Sequence, residues 1–116
     1  MTFWERMASL LDSCEVVIDR PKGSTHPRYS QFVYPLDYGH LKNTSGGDGN
    51  EIDLWRGSMS GQQLDAIICT VDTLKGDAEV KLVVGCTDDE MEVVQRFYDD
   101  SSHMSGIVVK RSGTEG

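Results

Sequence analysis

Four aspartates fall into two pairs built on one plan. Asp48 and Asp53 lie five positions apart across a glycine-rich bend, and Asp72 and Asp77 lie five apart across a second turn. A hard cation such as magnesium takes oxygen ligands, and carboxylates on either side of a bend can converge on one. Two such ions close together would bridge a phosphate and activate water. The plain alternative is that Asp, Gly and Asn gather in solvated turns for backbone reasons alone. Two placements favour chemistry. In "EIDLW" Ile52 and Leu54 share one face of an alternating strand, which turns Asp53 to the other face, toward a cleft. Asp72 closes the apolar run "AIICTV" and stands at the rim of a rigid strand. Asp65, near the start of that run, reads as a surface residue.

Cations are concentrated in one stretch, "RPKGSTHPRYS", which holds Arg20, Lys22, His26 and Arg28 in an otherwise acidic chain. Arginine meets phosphate oxygens with a two-pronged fork and lysine with a point charge, although a solvated loop has the same composition. Tyr34 and Tyr38 flank Pro35. A tyrosine hydroxyl can donate to a phosphate oxygen, or the rings can simply pack. His40 and His103 have no partner in sequence and read as structural. Gly39, Gly46, Gly47 and Gly49 read as turn glycines.

These residues need elements to hold them. "TFWE" has the form of a capping box, and Phe3, Met7, Leu10 and Leu11 follow on one helical face, so residues 2–13 read as a helix. "CEVVID" reads as a strand, the basic stretch as an exposed loop, and "QFVYPLDYGHL" as aromatic and partly extended. Strands follow at residues 51–56, at Leu64 to Asp72 and in "EVKLVVGC". A second capping box at "TDDE" opens a helix with Met91, Val94 and Phe97 or Tyr98 on one side. "GIVVKR" closes as a strand and "SGTEG" as a frayed tail. Helix, short strands, helix, strand implies a small curved sheet or barrel braced by helices.

The 116 residues suffice for a single compact domain, 1–116, with one core. Lys and Arg total 11 against 19 Asp and Glu, a formal charge of -8 that disfavours nucleic-acid binding. No stretch reaches the roughly 20 apolar residues of a membrane helix, and no signal peptide is evident. Three cysteines without paired spacing point to reduced thiols and a cytoplasmic protein.

"YPLDYGHL", "DGNEID" and "VDTLKGD", in that order, resemble the soluble family I inorganic pyrophosphatases over roughly residues 15–85. In that family a Y-P-x-N-Y-G motif is followed, ten residues after its second tyrosine, by D-G-D-P-x-D; Tyr38 and Asp48 keep that spacing. The resemblance implies a distorted five-stranded OB-like barrel packed by two short helices. It implies Mg2+-dependent hydrolysis of pyrophosphate to two phosphates by metal-activated water. Asp48, Asp53, Asp72 and Asp77 would hold the metal; Tyr38, Lys22 and Arg28 would hold phosphate, with Asp53 also in the catalytic set. Asp19 in "IDRP" resembles a further strand-end acid. A homo-oligomer is expected by the same token.

The chain departs from the pattern in places that bear on activity. Asn50 stands where the family has the aspartate that helps deprotonate the attacking water, and asparagine cannot be a general base. Glu51 replaces a proline and Asp37 an asparagine, and either is a conceivable substitute base. Glu79 stands where a lysine is usual, with Lys81 one strand period beyond on the same face. The C-terminal tyrosine–lysine pair has no counterpart, and the chain is shorter than usual members. Three functions compete: a pyrophosphatase, a hydrolase of another phosphoanhydride such as a nucleotide, and a non-catalytic phosphate- or metal-binding relative.

Overall fold

Two threonines start the two helices in the same way. The computed structural model describes residues 1–112. Thr2 caps α1 (Phe3–Ser13): its hydroxyl accepts from the Glu5 N–H at 3.1 Å, while the Glu5 carboxylate accepts from the Thr2 N–H at 2.9 Å. Thr87 and Glu90 repeat the exchange at the start of α2 (Asp88–Asp99), at 3.2 and 2.9 Å. Each box satisfies two amide donors that a helix start leaves open.

Between and after the helices run β1 (Val16–Arg20), β2 (Asp37–Leu41), β3 (Asp53–Arg56), β4 (Leu64–Asp72), β5 (Asp77–Val84) and β6 (Met104–Lys110). They form one sheet in the order β1-β2-β3-β5-β4-β6, antiparallel throughout except where β3 meets β5. The mainly β fold with two helices is the one expected, with six strands in place of five and with β1 and β6 as edges among the described residues. β2 is the strand that Pro35 and Gly39 obscure in the sequence. β1 begins later than "CEVVID" suggests because Cys14 is the C-cap of α1, its N–H bonded to the Leu10 carbonyl. The last four residues of the expected frayed tail lie outside the described residues.

The sheet is covered on both faces at its centre. Trp55, Ala66, Ile68 and Val83 point to the α2 face and meet Met91, Val94 and Tyr98 of the helix. Leu54, Ile67, Leu82 and Val84 point the opposite way and meet Leu41 and Leu11. Double coverage explains why β5 ends in an unbroken apolar run, "LVV", where a one-sided strand would alternate. It also refines the expectation for β3: Trp55 does share a face with Asp53, but it is wholly buried there, and its indole N–H donates to the Tyr98 hydroxyl at 3.1 Å.

Gly39 is a strand glycine, not a turn glycine. A Cβ at that position would run into the Val17 carbonyl and reach within 2.9 Å of the Ile18 Cα, both backbone atoms of β1. The absent side chain is what lets β1 lie against β2. Gly39→Ala is therefore expected to destabilise the fold by at least about 2 kcal/mol, measured by urea denaturation; an unchanged midpoint would show that the two strands can part without loss.

Candidate functional site

Strand alternation sorts β5 into two rows. Asp77, Glu79, Lys81 and Val83 face α2, and the helix packs against Val83 at one end of the row. The other three line a cleft of about 200 Å³. Lys81 lies at its floor with its side chain only 8% exposed. Its ammonium donates to the Tyr38 hydroxyl at 2.6 Å, to Asp53 Oδ2 at 3.1 Å and to Glu79 Oε2 at 3.2 Å. The Tyr38 hydroxyl in turn donates to Asp53 Oδ2 at 2.8 Å. An ammonium has three N–H groups, and here each finds an oxygen, which is what a buried charge requires. Burial alone would lower the Lys81 pKa; the Tyr98 and Tyr38 oxygens and the Asp53 carboxylate outweigh it and hold the group above its ordinary value. Lys81 is a fixed positive charge.

The carboxylates surround it. Asp72 and Asp77 are register partners across the β4–β5 hairpin and both line the cleft. Asp72 Oδ1 accepts from the Leu74 and Lys75 N–H groups at 2.9 and 3.0 Å, which ties the turn to the strand end. Asp77 lies 3.5 Å from the Lys75 ammonium. Asp48 lies in its loop near Glu79 and accepts from the Asn50 N–H at 3.0 Å. Burial, and then the neighbouring Asp48, push the Glu79 carboxyl above its ordinary range, while Glu79 and the Asn50 N–H hold Asp48 below its own. The cleft is also lined by aromatic side chains, among them Tyr29, Phe32 and Phe97.

Of the residues the sequence singles out, Tyr38 and Asp53 meet at Lys81, Asp72 and Asp77 line the cleft at the hairpin end, and Asp48 lies near Glu79 without lining the cleft. Lys22 and Arg28 are not brought to this cleft. Lys22 lines a separate hollow with Asp37, Arg56 and Glu90, and its N–H donates to Asp37 at 2.9 Å. The Arg28 N–H donates to the His26 ring at 3.0 Å, within its own loop. Asp37 also pairs with Arg56 at 3.1 Å, so it is no substitute base at the cleft. Asn50 faces Asp48, its N–H donating to Oδ1 at 3.0 Å. Asp65 is not a bare surface residue, because its carboxylate accepts from the Cys86 N–H at 3.0 Å.

Two histidines gain partners that the sequence does not reveal. His103 lines the cleft. His40 lies 2.7 Å from Asp19 and 3.3 Å from Glu51, and the hydrogen bond to Asp19 raises its pKa against the opposing effect of burial. The usable signal was spacing: His40 is two residues from Tyr38 and opposite Asp53 in the β2–β3 register. Glu79 was legible in the same way, two residues from Lys81 on one strand.

Among the described residues, no group of three His, Cys, Asp or Glu side chains closes on one point as a ready metal cage. Magnesium does not demand one; it is commonly held by one or two carboxylates, retained waters and substrate phosphates. The donor chemistry fits such an ion. The carboxylates offer oxygen donors, and Asp72 and Asp77 line the cleft side by side as register partners.

The His40–Asp19 pair gives a pH test. A pKa raised on folding adds stability that is fully present below the unfolded imidazole value of about 6.5 and is lost as pH rises through the folded value. In chelator, Asp19→Asn is expected to lower stability by no more than about 1 kcal/mol in acid, and the deficit should shrink as pH rises above that range. Thermal melts across pH check this; a deficit independent of pH would mean the pair is not ionic. Compared with protein-family models and with curated proteins, the sequence finds no match.

Proposed function

We propose that this chain is a magnesium-dependent phosphoanhydride hydrolase whose simplest substrate is inorganic pyrophosphate, cleaved to two phosphates. The observation that carries the reading is that Tyr38, Asp72 and Asp77, from separate motifs, line one cleft whose buried Lys81 ammonium is bonded to Tyr38 and Asp53, with Asp48 close enough to influence Glu79 beside it. Asp48, Asp53, Asp72 and Asp77 would hold the metal. Magnesium, when bound, supplies positive charge to phosphate oxygens and acidifies water.

The chain's own groups divide the remaining work. Lys81 offers a charge whose position is set by Tyr38, Asp53 and Glu79; with its N–H groups taken by these partners, it would favour a phosphate at the cleft floor through its field and not by a direct hydrogen bond. Lys75, two-thirds exposed, offers a second and more mobile charge at the rim. In this reading the two lysines take the phosphate-binding role that the family resemblance gives to Lys22 and Arg28. Asp53 keeps Lys81 charged and Tyr38 oriented. Asn50 cannot take a proton from water, so turnover is slower than a positioned base would allow by roughly 10²–10⁴-fold.

Two further expectations belong to the proposal. Cys14, Cys69 and Cys86 are free thiols, which supports a reducing compartment such as the cytoplasm; no helix among the described residues is long and apolar enough to cross a membrane. Val71, Val80 and Ile107 share the sheet face opposite the cleft, and they are 45, 45 and 62% exposed. This contiguous apolar strip supports self-association. Ile107→Lys should shift the chain toward monomer in sedimentation equilibrium, and a monomeric wild type would end that part of the proposal.

Phosphate release from pyrophosphate, with magnesium and with chelator, tests the activity. Wild type should release phosphate only with magnesium, Asp53→Asn should lose at least about 10²-fold, and Asn50→Asp should gain within the range above. Asn50 also favours one rival, a binding protein without turnover. Magnesium-dependent pyrophosphate binding in calorimetry, with no phosphate released, would establish that rival and reject hydrolysis.

A further inference from the structure

The cleft contains more than a diphosphate needs. Besides its ionic residues its lining is aromatic, with Tyr29, Phe32 and Phe97 alongside His26 and His103. Pyrophosphate presents only oxygens and has no surface for such rings to cover. Phe32 occupies the pivotal place. It meets Phe97 at 5.9 Å and His103 at 6.2 Å between ring centres. The same three rings also line an adjoining hollow of about 430 Å³, whose rim carries Gln31, Ser101 and Ser102. Tyr29 and His103 meet Phe32 at 85° and 79°, and Phe97 at 52°. Among the described residues, no ring is stacked parallel on Phe32. Tyr29 is 43% exposed although it lines the cleft.

We infer that the cleft takes a nucleoside polyphosphate, with the phosphates on the ionic floor, the base on Phe32, and the Gln31, Ser101 and Ser102 rim beside the base. This rests on reading the floor as the phosphate end. Ligand sites are typically apolar with a few placed polar groups, and that describes the aromatic lining and its rim. Every base has a π face to set on an aromatic ring, and such stacking is worth roughly 5- to 150-fold in affinity per base. Amide and hydroxyl groups at the rim can both donate and accept, which suits a base edge. In turnover, a water oxygen bonds to the terminal phosphorus and the bridging P–O bond breaks. The shortened nucleotide leaves with the bridging oxygen, and the water's proton passes to solvent.

The test compares adenosine diphosphate with inorganic pyrophosphate, both with magnesium, in the full chain and in Phe32→Leu. Binding is read by calorimetry and phosphate release by assay. Retention of the fold in the variant is checked by its amide spectrum, since Phe32 bonds Tyr29 and His26 only through its backbone. The expected result is that adenosine diphosphate binds and that the substitution weakens it relative to pyrophosphate by about tenfold. Equal weakening of both ligands, or no nucleotide binding by a chain that binds pyrophosphate, overturns the base site and leaves the hydrolase intact. Phe32-dependent nucleotide binding with no phosphate released from either ligand supports the base site and rejects the hydrolase. A chain that binds neither ligand overturns both.

Discussion

A buried ammonium must be matched, and the matching of Lys81 draws the rest of the site together. Its partners come from three places: Tyr38 from β2, Asp53 from β3, and Glu79 from its own strand. Beside Glu79 lies Asp48, in a loop with no regular structure of its own, close enough to raise the Glu79 carboxyl pKa while its own is lowered. Removing one partner of a buried pair costs about 3–5 kcal/mol, because the remaining charge has nowhere to go. One cation therefore ties together side chains of β2, β3 and β5. The acids around the cleft are arranged about a charge that the protein already carries.

α2 decides where that arrangement begins. The helix packs over Trp55, Ala66, Ile68 and Val83 and makes that end of the sheet face a core. Next to Val83 on the same row stands Lys81, then Glu79, then Asp77. The shift from apolar to ionic takes one strand period. An aromatic group marks the boundary: Tyr38 and Trp55 lie 4.7 Å apart, and Tyr38 has its ring in the packed half and its hydroxyl in the ionic half. A tyrosine suits that seam because it presents an apolar body and a polar tip.

Local signals were the most legible. Both capping boxes could be read because their chemistry is confined to four residues, and β4 could be read from its long β-branched run. The facing of Asp53 followed from alternation alone, as did the shared face of Glu79 and Lys81. Long-range placement was less legible. Lys22 and Arg28 sit in a loop whose course depends on contacts such as Lys22 to Asp37, fifteen residues away, and composition holds no record of that course. His40 looked isolated because its partner Asp19 is twenty-one residues distant and comes beside it only through the β1–β2 pairing. Gly39 looked like a turn because glycine is common in turns, whereas its reason is the closeness of a neighbouring backbone.

The parallel contact between β3 and β5 also sets an order of events. β5 is joined to β4 by a tight turn, so that hairpin closes at little entropic cost. β3 can pair with β5 only after the chain has run through β4 and come back, so its contact belongs to the slower, non-local part of folding. Until β3 docks, Lys81 lacks Asp53 and lies open to water. The hub of the site needs β2 and β3 brought together with β5, so its integrity reports on the sheet and not on the hairpin that carries it.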